Sequence, residues 1–335
     1  MKKYFILAAV ALTMAACSNS NDEGGQLITP SSESIRLKTM VAGANIGGTR
    51  ADGTDIQTAN IENGQSVYAT FTSSVAADAA VTEWASGTTA SETYTADGSG
   101  NLSGASVKWP KTTPGSETVS VTAWAPATAV PAAWTVAADQ TALADYLASD
   151  LLYGTSASFA YADIANPILV TFEHKLAKIN VKIAGGTDNT GATLNASDLA
   201  NAKIVFAEGT DVATPVPYLI TNATIAGSTV TKGATTGAIT VTTAYNATEN
   251  ASAVIIPQTV EATSTAKKIL FSVTLASDPA RTYQYKIGAN KEFKAGYEYT
   301  YNITIRGDQN LIILTEQITK WTDGGSEAII AGWYN

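Results

Sequence analysis

The run ILVTFEHKLAKINVKI, residues 168–183, decides the fold class. Ile168, Val170 and Phe172 alternate with Leu169, Thr171 and Glu173, and Ile179, Val181 and Ile183 alternate with Lys178, Asn180 and Lys182. Alternation of this kind marks strands with one buried face, because successive side chains leave a sheet on opposite sides. The apolar set moves from even to odd numbers across His174 to Lys178, so a single regular strand would turn half of it to water. Two strands separated by a bulge or break are therefore expected. Pro167 keeps a ladder from running in and Gly185 and Gly186 release the chain, so a domain boundary is expected just before the run.

Upstream, the same reading predicts strands over 34–41, 67–71, 105–110 and 119–124, then a short helix over 139–147 capped by Asp139. Downstream it predicts strands over 203–207, 238–243 and 253–256 and a hairpin of 269–275 with 282–287, turning through Ser277, Asp278 and Pro279. Strands over 297–305 and 311–314 follow. Many short strands, frequent turn residues and almost no helix predict an all-β protein of two β-sandwiches, residues 51–165 and 166–335. No fixed-period repeat is present.

Composition agrees and excludes several functions. The chain has 335 residues, of which 15% are charged and 45% hydrophobic, with a formal net charge of −9. So little charge and so many β-branched residues belong to folded sheet rather than disorder. The acidic balance and the scattered basic residues give no nucleic-acid surface. Cys17 is the only cysteine, which rules out an internal disulfide and a thiolate metal cluster.

The amino terminus reads as a leader. Lys2 and Lys3 precede a short apolar run that ends in Ala15, Ala16 and Cys17, the layout of a secretory signal. Small residues directly before a cysteine resemble a bacterial lipobox, although Met14 stands where Leu is usual. Residues 1–16 are then a lipoprotein signal peptide, and Cys17 is acylated, as by palmitate, and anchors the precursor in the outer membrane. Residues 17–50 form a pro-segment. Within it Ile35, Leu37, Thr39 and Val41 share one face of a strand, and Gly43, Gly47, Gly48 and Gly53 surround Arg50 and Ala51 in a protease-accessible linker.

No catalytic or metal constellation stands out. His174 is the only histidine and falls at the phase change, where a structural hydrogen bond explains it better than catalysis. The run 52–55 is too short for a calcium loop. No carboxylate pair is nominated among the acidic residues. Trp84, Trp109, Trp124 and Trp134 could line a glycan-binding face, and Tyr297, Tyr299 and Tyr301 form a stripe suited to a packed sheet.

An ordered set of motifs adds to this. Thr49-Arg50-Ala51, Lys108-Trp109-Pro110, Asp150-Leu151-Leu152-Tyr153, Phe172-Glu173-His174-Lys175-Leu176-Ala177, Ile255-Ile256-Pro257-Gln258, Tyr283-Gln284-Tyr285, Phe293-Lys294-Ala295-Gly296-Tyr297 and Ile318-Thr319-Lys320-Trp321 resemble the fimbrillin family of Bacteroidota. That resemblance implies a type V pilus subunit with two transthyretin-like sandwiches and no cofactor. It further implies lipoprotein export, cleavage after Arg50 by an Arg-specific protease and polymerisation with other subunits by strand exchange. A surface fimbrium would serve adhesion to a host or bacterial ligand. The donor strand is then expected in the carboxy-terminal region, around Leu311 and Ile313 or around Ile329 and Trp333. The alternatives are a monomeric surface lipoprotein that binds glycan and a surface hydrolase.

Overall fold

The change of phase after His174 is where the chain passes from one sheet to another. In the computed structural model, which describes residues 33–42, 60–85, 87–210, 216–243, 250–306, 312–320 and 326–329, one strand ends at His174 and the next begins at Ala177. Between them Leu176 is buried, and Lys175 donates its amide to Leu151 O at 2.8 Å. The break lets each apolar set face a different core, which removes the register conflict.

The strands before this point are β1 (Leu37–Val41), β2 (Ser66–Ser73), β3 (Thr89–Ala96), β4 (Leu102–Ser103), β5 (Thr118–Ala125), β6 (Ala133–Thr135), β7 (Leu152–Thr155), β8 (Phe159–Ala160) and β9 (Ile168–His174). All but β6 form one sheet in the order β1-β9-β7-β5-β2-β3-β4, with β8 paired to β5. Every pairing in it is antiparallel except β1 with β9. The sheet curls until its ends meet, because Lys38 bridges Asn101 and Ser34 bridges Lys108. Inside lie Val67, Phe71, Trp84, Trp109, Val121 and Phe172.

Pro167 does not close a domain. A proline is tolerated directly before a strand, where its missing N–H breaks no ladder, and Ile168 already donates to Arg36 O at 2.8 Å. Ile168, Val170 and Phe172 belong to the first core, so the passage between cores comes after His174 and not before the run.

After the break come β10 (Ala177–Gly185), β11 (Lys203–Thr210), β12 (Leu219–Ile220), β13 (Asn222–Ala226), β14 (Thr229–Lys232), β15 (Thr236–Gly237), β16 (Ile239–Thr242), β17 (Asn250–Ile255) and β18 (Gln258–Val260). The chain continues through β19 (Lys268–Leu275), β20 (Asp278–Ile287), β21 (Lys291–Phe293), β22 (Tyr297–Ile305), β23 (Ile312–Lys320) and β24 (Ser326–Ile329). Two larger sheets, β17-β10-β22-β23-β24 and β16-β11-β19-β20, enclose the second core. Aromatic rings join the two sheets: Tyr301 meets Phe271 edge-on at 5.5 Å and Tyr285 at a tilt at 5.7 Å between ring centroids. Such contacts add to the burial of large apolar area. The hairpin of β19 and β20 turns at Ala276 and Ser277, with Asp278 already opposite Leu275.

The first half also feeds the second core. β6 pairs with β13, and Trp124, Val136, Tyr146 and Leu151 pack among second-core residues. The helix α1 (Leu143–Ser149) starts later than expected. Asp139 does not cap it, since its carboxylate accepts instead from the Thr141 amide at 2.9 Å, and the capping position falls to Ala142. Local side-chain bonding of this kind competes with helix initiation.

Gln140 and Gln258 act as short pieces of strand. The fully buried Gln140 accepts from Val254 N at 2.8 Å and donates to Val254 O at 2.9 Å. Gln258 does the same for Ile220, at 2.9 and 3.0 Å. Each side-chain amide satisfies the N–H and the C=O of one residue, the buried Val254 or the half-buried Ile220, and such groups are costly to leave unpaired. Gln140→Leu should therefore lower the unfolding free energy by about 2–4 kcal/mol, since the lost bonds leave two buried backbone groups unpaired. Chemical denaturation of the two proteins checks this, and an unchanged midpoint would refute the role.

Candidate functional site: the slot that holds strand β1

β1 occupies a slot with backbone partners on both sides. Along one side it runs parallel to β9, Leu37 opposite Ile168 through to Val41 opposite Phe172, and Ala42 N donates to Phe172 O at 2.7 Å. Along the other, Ile35 N donates to Val107 O (2.8 Å), Thr39 N donates to Gly100 O (2.7 Å), and Trp109 N donates to Glu33 O (2.7 Å). Ile35, Leu37, Thr39 and Val41 are 2%, 8%, 2% and 1% exposed. Their alternation puts all four on the inner face, so the expected face of this strand is the one that enters the first core. Arg36 lies on the outer face, and its guanidinium bonds to Ala165 O.

The walls of the slot explain two glycines and one sequence motif. Gly100 has φ +89°, a left-handed conformation that favours glycine, and a Cβ there would come within 2.8 Å of Thr39 O. At Gly154 a Cβ would strike Val170 and Phe172, the side chains of β9 that line the slot. The motif Lys108-Trp109-Pro110 is the clamp over the amino-terminal end of β1. Trp84 Nε1 donates to Lys108 O at 2.8 Å, and Trp109 Nε1 donates to Glu117 Oε1 at 2.7 Å. Burial pushes the Glu117 carboxyl up, but the Trp109 indole, the Gly115 amide and Lys111 outweigh it and hold the group below its ordinary range.

The remaining expected positions fall as follows. Cys17, Arg50, Ala51, the run 52–55, Leu311 and Trp333 lie outside the described residues. Ile313 stands in β23, opposite Thr304 of β22 and outside the stretch 316–319 that pairs with β24, and Ile329 stands in β24, an edge strand of its sheet. His174 is structural: its Nδ1 lies 3.0 Å from Asp150 Oδ2, with both side chains buried. The indoles do not form a glycan-binding face. Trp84, Trp109 and Trp124 are at most 4% exposed, and Trp134 is half-buried with its Nε1 donating to Ser149 O. Their area goes to packing, as large aromatic side chains in strands usually do. Tyr299 and Tyr301 of the tyrosine stripe are likewise core, while Tyr297 is half-buried. Among the described residues no group of three or more His, Cys, Asp or Glu side chains could hold a metal ion. Reading by residue type gave no role to Glu117 or Gln140, and Asp150 and Gln258 entered only as parts of motifs; the partners of Gln140, Asp150 and Gln258 are remote in sequence.

The chain is all-β, and strand β1 near its amino terminus closes the first sheet. A model described as fimbrillin-like matches residues 49–321. A candidate cell adhesion protein from Bacteroides ovatus is similar over 90% of this chain and 99% of its own, with 18% identity and a TM-score of 0.56. Another from Bacteroides uniformis is similar over 85% and 98%, with 18% identity and a TM-score of 0.53. At that identity the likeness is one of fold. No curated protein is significantly similar to the chain. The chain belongs to the fimbrillin-like family. It is a structural pilus subunit of the cell-surface fimbrium and not an enzyme.

The clamp at Glu117 is sensitive to acid. Its folded pKa is lowered from 4.5, so its stabilising contribution is complete above pH 4.5 and is lost as pH falls through the lower folded value. Asp78, brought down to about 2 by Lys111 and Thr112, titrates below most of that window. Glu117→Gln should cost about 1–3 kcal/mol at neutral pH and flatten the fall in stability just below pH 4.5. Thermal unfolding of both proteins across pH 3–7, roughly the carboxylate range, checks this, and parallel curves would refute it.

Proposed function

We propose that this subunit is exported as a lipoprotein through Cys17, is cleaved after Arg50, and polymerises when the strand of a neighbour replaces β1. The observation that carries the reading is β1 itself. It is a short strand near the amino terminus, it completes the first core, and it is followed by the Arg50 linker. Loss of residues 17–50 would leave backbone edges unpaired on both sides and open the apolar slot, a state that invites another strand. Refilling it with about three aliphatic side chains is worth roughly 5–10 kcal/mol before ordering costs.

The choice of arginine is supported by its surroundings. Arg36 O accepts from Ile168 N, Arg281 lies in β20, and Arg306 directly follows β22. Backbone held in strands resists proteolysis, whereas Arg50 lies among glycines. As donor, either carboxy-terminal stretch fits, 311–314 or 328–333, because among the described residues 312–314 pair only with β22 and β24 pairs only with β23. The same reading takes the two cores as two sandwich domains.

Two measurements test it. Metabolic labelling with a tagged fatty acid should mark the precursor and not its Cys17→Ala variant. Cells carrying Arg50→Ala should accumulate a lipidated monomer in place of an SDS-stable ladder, and fibres of normal length from such cells would overturn the cleavage step.

A further inference from the structure

The face of β10 turned away from the aromatic layer of the second core carries side chains that strand pairing does not require. Lys178 and Asn180 stand two apart on this strand and therefore on one side of the sheet. The register sets Glu298 of β22 directly beside Lys178, and Ser252 of β17 directly beside Asn180. A lysine on such a face ordinarily marks solvent, yet Lys178, Asn180, Glu298 and Ser252 are at most 7% exposed.

The four side chains form one network. Lys178 Nζ lies 3.4 Å from Glu298 Oε2, and Asn180 Nδ2 donates to Glu298 Oε1. Thr300 Oγ1 also donates to Glu298 Oε1, at 3.3 Å. On the far side of the Asn180 amide, Ser252 Oγ donates to Oδ1. A carboxylate only accepts, so the Asn180 nitrogen is the atom that faces Glu298 and its oxygen the atom that faces Ser252. One carboxylate thus touches both an amine and the nitrogen of a carboxamide, while a hydroxyl touches the carbonyl oxygen. Aminolysis of an amide needs these groups: a nucleophile, a carrier of protons from the attacking to the leaving nitrogen, and a donor for the oxyanion. Distance along the strand is no obstacle, since residues two apart are separated by roughly 6.6 Å, within the combined reach of the two side chains.

We propose that Lys178 and Asn180 join in an intramolecular amide, with Glu298 as the catalytic acid and base. Glu298 takes a proton from the Lys178 ammonium, and the freed amine adds to Cγ of Asn180. Negative charge moves onto Oδ1, where the Ser252 hydroxyl holds it. Glu298 passes its proton to Nδ2 and takes one from Nζ, the carbonyl reforms, the Cγ–Nδ2 bond breaks and ammonia leaves. Nothing is oxidised or reduced. The reactants hold a buried cation and a buried anion, whereas the product holds neither, because Glu298 keeps the last proton. Burial penalises charge, so the site favours the amide over the ion pair, and the departure of ammonia carries the reaction forward.

The first test uses the full wild-type chain and needs no variant. Folded protein is denatured and digested with trypsin, which cuts after lysines whose amine is free, and the peptides are sequenced by mass spectrometry. The amide predicts an uncut peptide of residues 176–182 that is lighter by one ammonia and whose Lys178 resists an amine-modifying reagent. A succinimide at Asn180 would lose the same ammonia but leave Lys178 cut and reactive, and that result would overturn the proposal. Glu298→Gln keeps the shape of the side chain and removes the proton carrier, so Lys178 should stay free in it. Ser252→Ala, sampled at intervals after synthesis, should form the amide on the order of a hundredfold more slowly. Circular dichroism shows whether each variant keeps its sheets, and the wild-type peptide decides the matter if one does not. A free Lys178 in aged wild-type protein, or as much amide in folded Glu298→Gln as in wild type, would overturn the proposal.

Discussion

A sheet edge buried in a core must find hydrogen-bond partners, and the first half of this molecule is arranged around that requirement. The stretch from Gly100 to Trp109 on one side and β9 on the other are brought close enough for one strand to fit between them, and β1 fills the place. Its peptide groups close the sheet into a ring while Ile35, Leu37 and Val41 complete the core. Closure removes both edges at once, which an open sheet cannot do. Most of what the slot demands is backbone, and only a few side chains are read.

The second core is built differently and is tied to the first. Two sheets face each other through an aromatic layer of Phe206, Phe271, Tyr285 and Tyr301. Residues 133–151 cross over from the first half, with β6 adding to β13 and Gln140 supplying a peptide-like partner to Val254. His174 and Asp150 sit at the turn between the sheets, both without solvent contact. Such ties join the two cores through hydrogen bonds and packing and not through a single linker.

On the side of the second sheet away from its aromatic layer, polar residues are buried as well. Lys178 lies 3.4 Å from Glu298 Oε2, Asn180 donates to Glu298 Oε1, and Ser252 donates to Asn180. Buried charges are costly unless paired and further bonded, and here each has a partner. The alternation in residues 178–182 gives no sign of this, since a lysine on the second face of a strand ordinarily marks solvent.

The sequence by itself determined the strands. Period-two patterning placed β2, β5, β9, β10, β19, β22 and the inward face of β1, because alternation is a local consequence of the pleat. The phase change at His174 was legible for the same reason, and the ordered motifs carried the family. Tertiary structure alone decided which strands became neighbours. That Pro167 opens β9 inside the first sheet, that four tryptophans are packed and offer no binding face, and that Gln140 and Gln258 stand in for strands all depend on partners remote along the chain. The slot was legible only by half: its occupant follows from alternation at residues 35–41, but its walls are contributed by segments near residues 100, 107 and 170, which only folding brings together. Local chemistry fixes how a residue points, whereas what it meets is set by the closing of the sheet, and no short stretch of sequence contains that information.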